Sequence, residues 1–247
     1  MSPAVRSYLA EFVGTFTLVL VGTSVATLQG MLDMGPAGWL GICFAFGFTL
    51  LVLVLALGPV SGCHINPAVT LPMAVAGKLP WPRVPGYLVA QCLGAVAASG
   101  LLLALLSGLE TEPLVYSLDD HGLGANGNPA GMSLAALLGW ELVFTALFLM
   151  VIFAATRGDG MIPGTATPGF AALAIGGFLF VAHLVGAPLG DSSLNPARSL
   201  GPALFVGGDA LAVLWVFVVG PVVGGLAGLG LYLLLYNDET PTGEKNG

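Results

Sequence analysis

The chain has 247 residues, of which 56% are hydrophobic and only 8% charged, with a net charge of −7 and a mean hydropathy of +0.95. A soluble domain, with about 25% charged residues, could not hide so much apolar surface, and acids outnumber bases 13 to 6, so no nucleic-acid partner is expected. Three cysteines, Cys43, Cys63 and Cys92, lie scattered in or beside apolar segments and fit neither a disulfide framework nor a zinc site. No metal and no cofactor is expected.

Taken in chain order, apolar runs cover 12–27, 39–57, 87–106, 134–155, 170–187 and 211–236. Each reaches or approaches the roughly 20 residues that cross a bilayer core as helix, which predicts an all-α membrane protein with six spanning helices in a lipid bilayer. Glu11 and Gly14 interrupt the start of the first run, and no small-residue cleavage site precedes another complete span, so the first helix is expected to remain. Threading six spans from the N-terminus puts Arg6, Lys78, Arg83, Arg157 and Lys245 on one side, which the positive-inside rule makes the cytoplasm, with both termini there. The acid-rich stretch 107–131 then lies outside. Arg198 is the one basic residue that departs from the pattern.

The chain also repeats itself. A span that starts with a glutamate (Glu11, Glu141), a second span, an Asn-Pro-Ala box (Asn66, Pro67, Ala68; Asn195, Pro196, Ala197) and a third span recur at a period of about 130 residues. Three spans per repeat is odd, so the second half enters the membrane from the opposite face. We read one domain over 1–247, with repeats at about 6–115 and 131–236.

Each box heads a segment, 67–77 or 196–207, that is apolar yet too short to cross. Asparagine is a favoured N-cap and proline suits the first helical turn, so each box reads as the start of a re-entrant half-helix near the midplane. The positive dipole ends then meet there from opposite sides, and the asparagine amides offer donors to whatever passes. The loops upstream, Gly62, Cys63, His64 and Ile65, and Asp191, Ser192, Ser193 and Leu194, must be non-helical. Membranes tolerate such backbone only where it lines a watery cavity or is buried in protein. A pore is implied, with carbonyls of Gly62, Cys63, His64, Ile65, Asp191 and Ser193 along it.

The run from Ser61 to Thr70 and the run from Asn195 to Ser199 resemble the two signature boxes of the aquaporin family, and the likeness covers essentially the whole chain. That resemblance implies a narrow outer constriction made of Phe46, His183, Ser192 and Arg198. Phe46 stands 20 residues before Asn66 and His183 12 before Asn195, spacings similar to those of water-selective bacterial members, whereas glycerol channels usually carry a smaller residue at the histidine position. It implies that Arg198 repels cations and that Asn66 and Asn195 break the proton wire in a midplane water. Glu11 and Glu141 resemble the family's buried glutamates, which hold the re-entrant loops. Ser199, Ala203 and Phe217 agree with the water-channel pattern, Val218 departs from the tryptophan of many members, and Ser192 replaces a common threonine or cysteine. A homotetramer is implied as well.

Plainer readings stand beside these. His183 could be a helix-packing residue, His64 a loop support, and His121 an ordinary solvated side chain; Cys63 either lines the cytoplasmic half of the pore or is tucked against protein. Glu11 and Glu141 could be relay acids of a pump, but no third intramembrane acid or lysine completes one. A passive water channel is therefore the expected function, ahead of a channel for glycerol or another small neutral solute and of a gradient-coupled transporter. No nucleophile with a base, metal ligand set or cofactor loop can be assembled for an enzyme. The short tails and compact loops point to a prokaryotic inner membrane.

Overall fold

A computed structural model describes residues 1–111, 114–128, 131–157, 168–186 and 192–236. Among them six helices are long and apolar enough to cross a membrane, over Pro3–Leu32, Gly35–Ser61, Trp81–Leu106, Leu134–Ala155, Pro168–Gly186 and Gly208–Leu235. In order the helices are α1 (Pro3–Leu32), α2 (Gly35–Ser61), α3 (Pro67–Val75), α4 (Val84–Leu106), α5 (Leu118–His121), α6 (Leu134–Ala155), α7 (Pro168–Gly186), α8 (Pro196–Val206), α9 (Gly208–Ala212) and α10 (Val216–Leu235). A short antiparallel pair, β1 (Glu110–Thr111) and β2 (Leu114–Val115), sits in the connection that the sequence marks only as acid-rich.

Several helices run past the apolar stretches that announce them. Ser2 accepts the Val5 amide hydrogen as N-cap of α1, Pro3 opens its first turn, and the 30 residues end at Asp33 in a left-handed conformation (φ 44°). At about 1.5 Å per residue such a helix measures roughly 45 Å, the thickness of a bilayer with its headgroups. The half-helices behave differently. With 9 and 11 residues, α3 and α8 each cover about half of a roughly 30 Å hydrocarbon core.

Packing is arranged alike in the two halves: α1 lies against α2 and α4, α6 lies against α7 and α10, and α2 meets α7 across the middle. The half-helices are exchanged, since α3 packs on α10 and α8 on α4. Lipid supplies no hydrophobic drive between helices, so close backbone approach carries the association. Gly94 on α4 faces the Phe12 carbonyl of α1, Gly224 on α10 faces the Leu142 carbonyl of α6, and Gly225 faces the Ala68 carbonyl of α3. At the end that holds the N-terminus, a ladder of rings ties α6 to α10: Lys78 Nζ lies 5.3 Å over Phe153, Phe153 is 5.4 Å from Tyr232, Tyr232 is 5.1 Å from Tyr236, and the Arg157 guanidinium is 4.8 Å over Tyr236.

A methyl group at Gly224 has no room against the α6 backbone, whereas one at Gly230, on the same helix, meets nothing within 4 Å. Gly224→Ala should therefore lower the thermal midpoint in detergent, by an amount corresponding to about 1–3 kcal/mol of overpacking. Gly230→Ala should leave it unchanged or raise it.

Candidate functional site: two re-entrant loops around one cavity

Each box folds as a capped helix start. Asn66 Oδ1 accepts the Ala68 amide at 2.8 Å, and Asn195 Oδ1 accepts the Ala197 amide at 3.1 Å and that of Arg198 at 3.4 Å. The two boxes are also bonded to each other, because Asn66 Nδ2 donates to the Leu194 carbonyl at 2.7 Å and Asn195 Nδ2 donates to the Ile65 carbonyl at 2.9 Å. An amide nitrogen has two hydrogens, so the expectation that these side chains serve a permeant is narrowed: one hydrogen of each is spent on the opposite loop, leaving one. Pro67, Ala68, Pro196 and Ala197 are buried behind the asparagines as the first helical residues.

The loops ahead of the boxes take conformations that side chains resist. Cys63 (φ 50°), Ile65 (φ 42°) and Leu194 (φ 55°) are left-handed without being glycine, each at a cost on the order of 1–3 kcal/mol. What holds them is a carboxylate. Glu11 accepts from Ser61 Oγ at 2.6 Å, the His64 amide at 2.9 Å, the Ile65 amide at 2.6 Å and Gln91 Nε2 at 2.7 Å. Glu141 accepts the Ser193 amide at 2.7 Å and the Leu194 amide at 2.9 Å. With their amides drawn to one side, the carbonyls of Gly62, Cys63 and His64 receive no donor from the described residues.

These groups surround one cavity of about 670 Å³, its open end included. Its lining combines the loop and box residues Gly62, Cys63, His64, Ile65, Asn66, Ser193, Asn195 and Arg198 with the apolar side chains of Leu18, Leu50, Val54, Phe148, Ile152, Ile175 and Leu179. Thr156 lines it too, and Phe46 and His183 do so beside Arg198. His64 Nδ1 lies 3.3 Å from Thr70 Oγ1, whose own hydrogen goes to the Asn66 carbonyl at 3.0 Å. The ring nitrogen is therefore the donor, and His64 Nε2 is left as an acceptor. Among the described residues no group of three or more His, Cys, Asp or Glu could hold a metal ion.

Phe46, His183 and Arg198 come together. The Phe46 and His183 rings are 4.6 Å apart and nearly parallel at 18°, and the Arg198 guanidinium carbon is 4.9 Å from the Phe46 ring centre. His183 Nδ1 pairs with the Leu179 carbonyl at 2.9 Å. A carbonyl only accepts, so Nδ1 carries the hydrogen and Nε2 of the neutral ring is an acceptor. Ser192 is fully buried but its hydroxyl is spent elsewhere, donating to the Ala182 carbonyl at 3.2 Å and accepting from Trp140 Nε1 at 3.1 Å. Its side chain is absent from the cavity lining described here. Asp191 lies outside the described residues.

Four residues of this assembly escaped the reading of the sequence. Gln91 bridges Glu11 and Thr70 Oγ1 (2.8 Å to the latter), Tyr87 OH donates to the Ser61 carbonyl at 2.7 Å, Trp140 holds Ser192, and Asn126 holds Arg198 Nη1. A lone amide inside an apolar span was a usable signal for Gln91, since such groups pair across helices. Nothing in its polar loop distinguishes Asn126 from Asn128.

Removing the Glu11 carboxylate leaves two buried backbone amides without acceptors, at about 1–3 kcal/mol each. Glu11→Ala should lower the thermal midpoint in detergent and abolish solute flux in proteoliposomes. Unchanged stability would mean that the loop is held by other contacts.

A family model described as major intrinsic protein matches residues 1–232. The chain is 42% identical over 242 residues to a protein named Aquaporin Z from Rhodopseudomonas palustris, covering 98% of this chain and 97% of that one. It is 40% identical to another Aquaporin Z, from Bradyrhizobium diazoefficiens, with the same coverage. Its structure superposes on that of the aquaglyceroporin from Plasmodium falciparum with a TM-score of 0.80 and 25% identity, over 93% of this chain and 95% of that one.

Proposed function

Because the chain belongs to the major intrinsic protein family, the aquaporins and their relatives, we propose that it is a passive water channel passing single-file water and excluding ions and protons. It is an integral multi-pass membrane protein, and its family consists of channels. The observation that carries the reading is one cavity lined at once by both box asparagines, by the loop residues 62–65, and by Phe46, His183 and Arg198.

In this reading water sheds its bulk neighbours at Phe46, His183 and Arg198, where the ring wall offers no hydrogen bond, Arg198 donates and His183 Nε2 accepts. The row of loop carbonyls and His64 Nε2 then accepts its hydrogens, while apolar side chains complete the lining. At the midplane the remaining amide hydrogens of Asn66 and Asn195 donate to its oxygen, so that water cannot accept from its neighbours in the file and a proton relay through it is broken. The positive ends of α3 and α8 and the Arg198 charge oppose cations in the same stretch. Glu11 and Glu141 act as scaffold, since their oxygens are engaged by loop amides. Both termini lie in the cytoplasm of a prokaryotic cell, and the working assembly is a homotetramer with a pore in each subunit.

Stopped-flow light scattering on proteoliposomes tests this. The wild type should shrink quickly under an impermeant osmotic step and admit little glycerol, and Phe46→Ala with His183→Gly should admit glycerol. Rapid glycerol entry through the wild type would move the substrate to polyols. Replacing Arg198 by Val should raise proton or cation leak roughly tenfold, the factor given by about 1.4 kcal/mol of lowered barrier, with water flux largely kept.

A further inference from the structure

We propose that Gly22, on α1 and behind the constriction, sets how wide the constriction is, by leaving open the seat that holds the Phe46 ring back from the water path. This rests on the reading of Phe46 as part of the constriction.

Glycine inside a long helix costs stability relative to alanine, so each one in α1 calls for a reason. A methyl carbon added at Gly30 meets nothing within 4 Å. Added at Gly14, it would lie 2.6 Å from Ile65 Cγ2 and 2.9 Å from Leu57 Cδ1. Added at Gly22, its three nearest neighbours would all belong to Phe46: Cε1, Cζ and, the farthest of them at 2.6 Å, Cδ1. Gly22 is buried, and Phe46 is 1% exposed.

The direction in which such a methyl would push follows from the helix face. Gly14, Leu18 and Gly22 are spaced four residues apart and share one face of α1. Leu18 lines the cavity, and so do Ile65 and Phe46, the side chains that cover the two glycines. The Phe46 ring therefore stands between Gly22 and the water path. Carbon atoms rest about 3.5–4.0 Å apart, so a methyl at Gly22 has to drive the ring off by about 1 Å. The His183 ring is already stacked on Phe46 at 4.6 Å, and the Arg198 guanidinium carbon lies 4.9 Å from its centre. The space left to the displaced ring is the cavity that it lines.

This separates Gly22 from the glycines at the helix crossings. At Gly94 and Gly224 the obstacle is the backbone of the neighbouring span, and a methyl there strains the packing of the bundle. At Gly22 the obstacle is the far end of one side chain. Its substitution therefore acts on the aperture and spares the fold.

The test compares osmotic water flux through wild type, Gly22→Ala, Phe46→Ala and the double variant in proteoliposomes, with Gly30→Ala as a control on the same helix. Gly22→Ala should keep the wild-type thermal midpoint and lower water flux roughly tenfold, the effect of about 1.4 kcal/mol of added barrier. Once the ring is gone the methyl has nothing to displace. Phe46→Ala and the double variant should then conduct alike within about twofold, a non-additivity expected of residues in contact. A glycine that served helix packing alone would lower the flux by the same factor in both backgrounds. Wild-type flux in a folded Gly22→Ala protein, or an equal loss when Gly22→Ala is added to Phe46→Ala, overturns the proposal. Should Gly22→Ala not fold, the double variant decides. Folded and conducting like Phe46→Ala, it supports the proposal; unfolded, it shows that the methyl meets something other than the ring, and overturns it. A wild type that conducts no water overturns the channel reading and the proposal with it, and is recognised before any variant is measured.

Discussion

Hydrocarbon offers no hydrogen bonds, and two stretches of this chain nevertheless leave the helix in the middle of the span. An unpaired peptide group there costs several kcal/mol, so each amide and carbonyl of the two loops has to be given a partner or opened to water. Glu11 and Glu141 take the amides of 64–65 and 193–194. With those amides bonded to the carboxylates, the Ile65 and Leu194 carbonyls are taken by the asparagine of the opposite box, and the loop residues 62–65 lie along the cavity.

The left-handed residues follow from the same constraint. Isoleucine and leucine avoid positive φ, yet Ile65 and Leu194 hold it, because at these positions the amide must reach a glutamate while the carbonyl meets the asparagine of the opposite box. Local strain is offset by four hydrogen bonds that no relaxed conformation would make together. The two boxes are consequently coupled, each asparagine bonding a carbonyl of the loop that its own half does not supply.

What could be read in the sequence was local or periodic. The spans were legible because each carries its own apolar length, and the half-helices because Asn66-Pro67 and Asn195-Pro196 spell a cap followed by a first turn. The glutamates were legible because they recur at the same place in both halves. Gln91, Trp140 and Asn126 were not, since each acts through a partner 21 to 80 residues away that no pattern announces. Ser192 marks a different limit: a position in a motif says where a residue sits along the chain, and only the packing of α6 and α7 says that its hydroxyl turns from the cavity to Trp140 and Ala182.

The exchange of half-helices also sets the order in which such a protein can mature. A chain emerging from the ribosome places α1 to α4 in the membrane while α10, against which α3 rests, has yet to be made. During that interval Asn66 lacks the Leu194 carbonyl and Ile65 lacks the Asn195 amide, so the first loop waits half-finished inside the insertion machinery or the lipid. The loop bonds can form once 194–195 is in place, but the seat of α3 on α10 waits for the last span, so the first half-helix is the part of the cavity wall that is packed last.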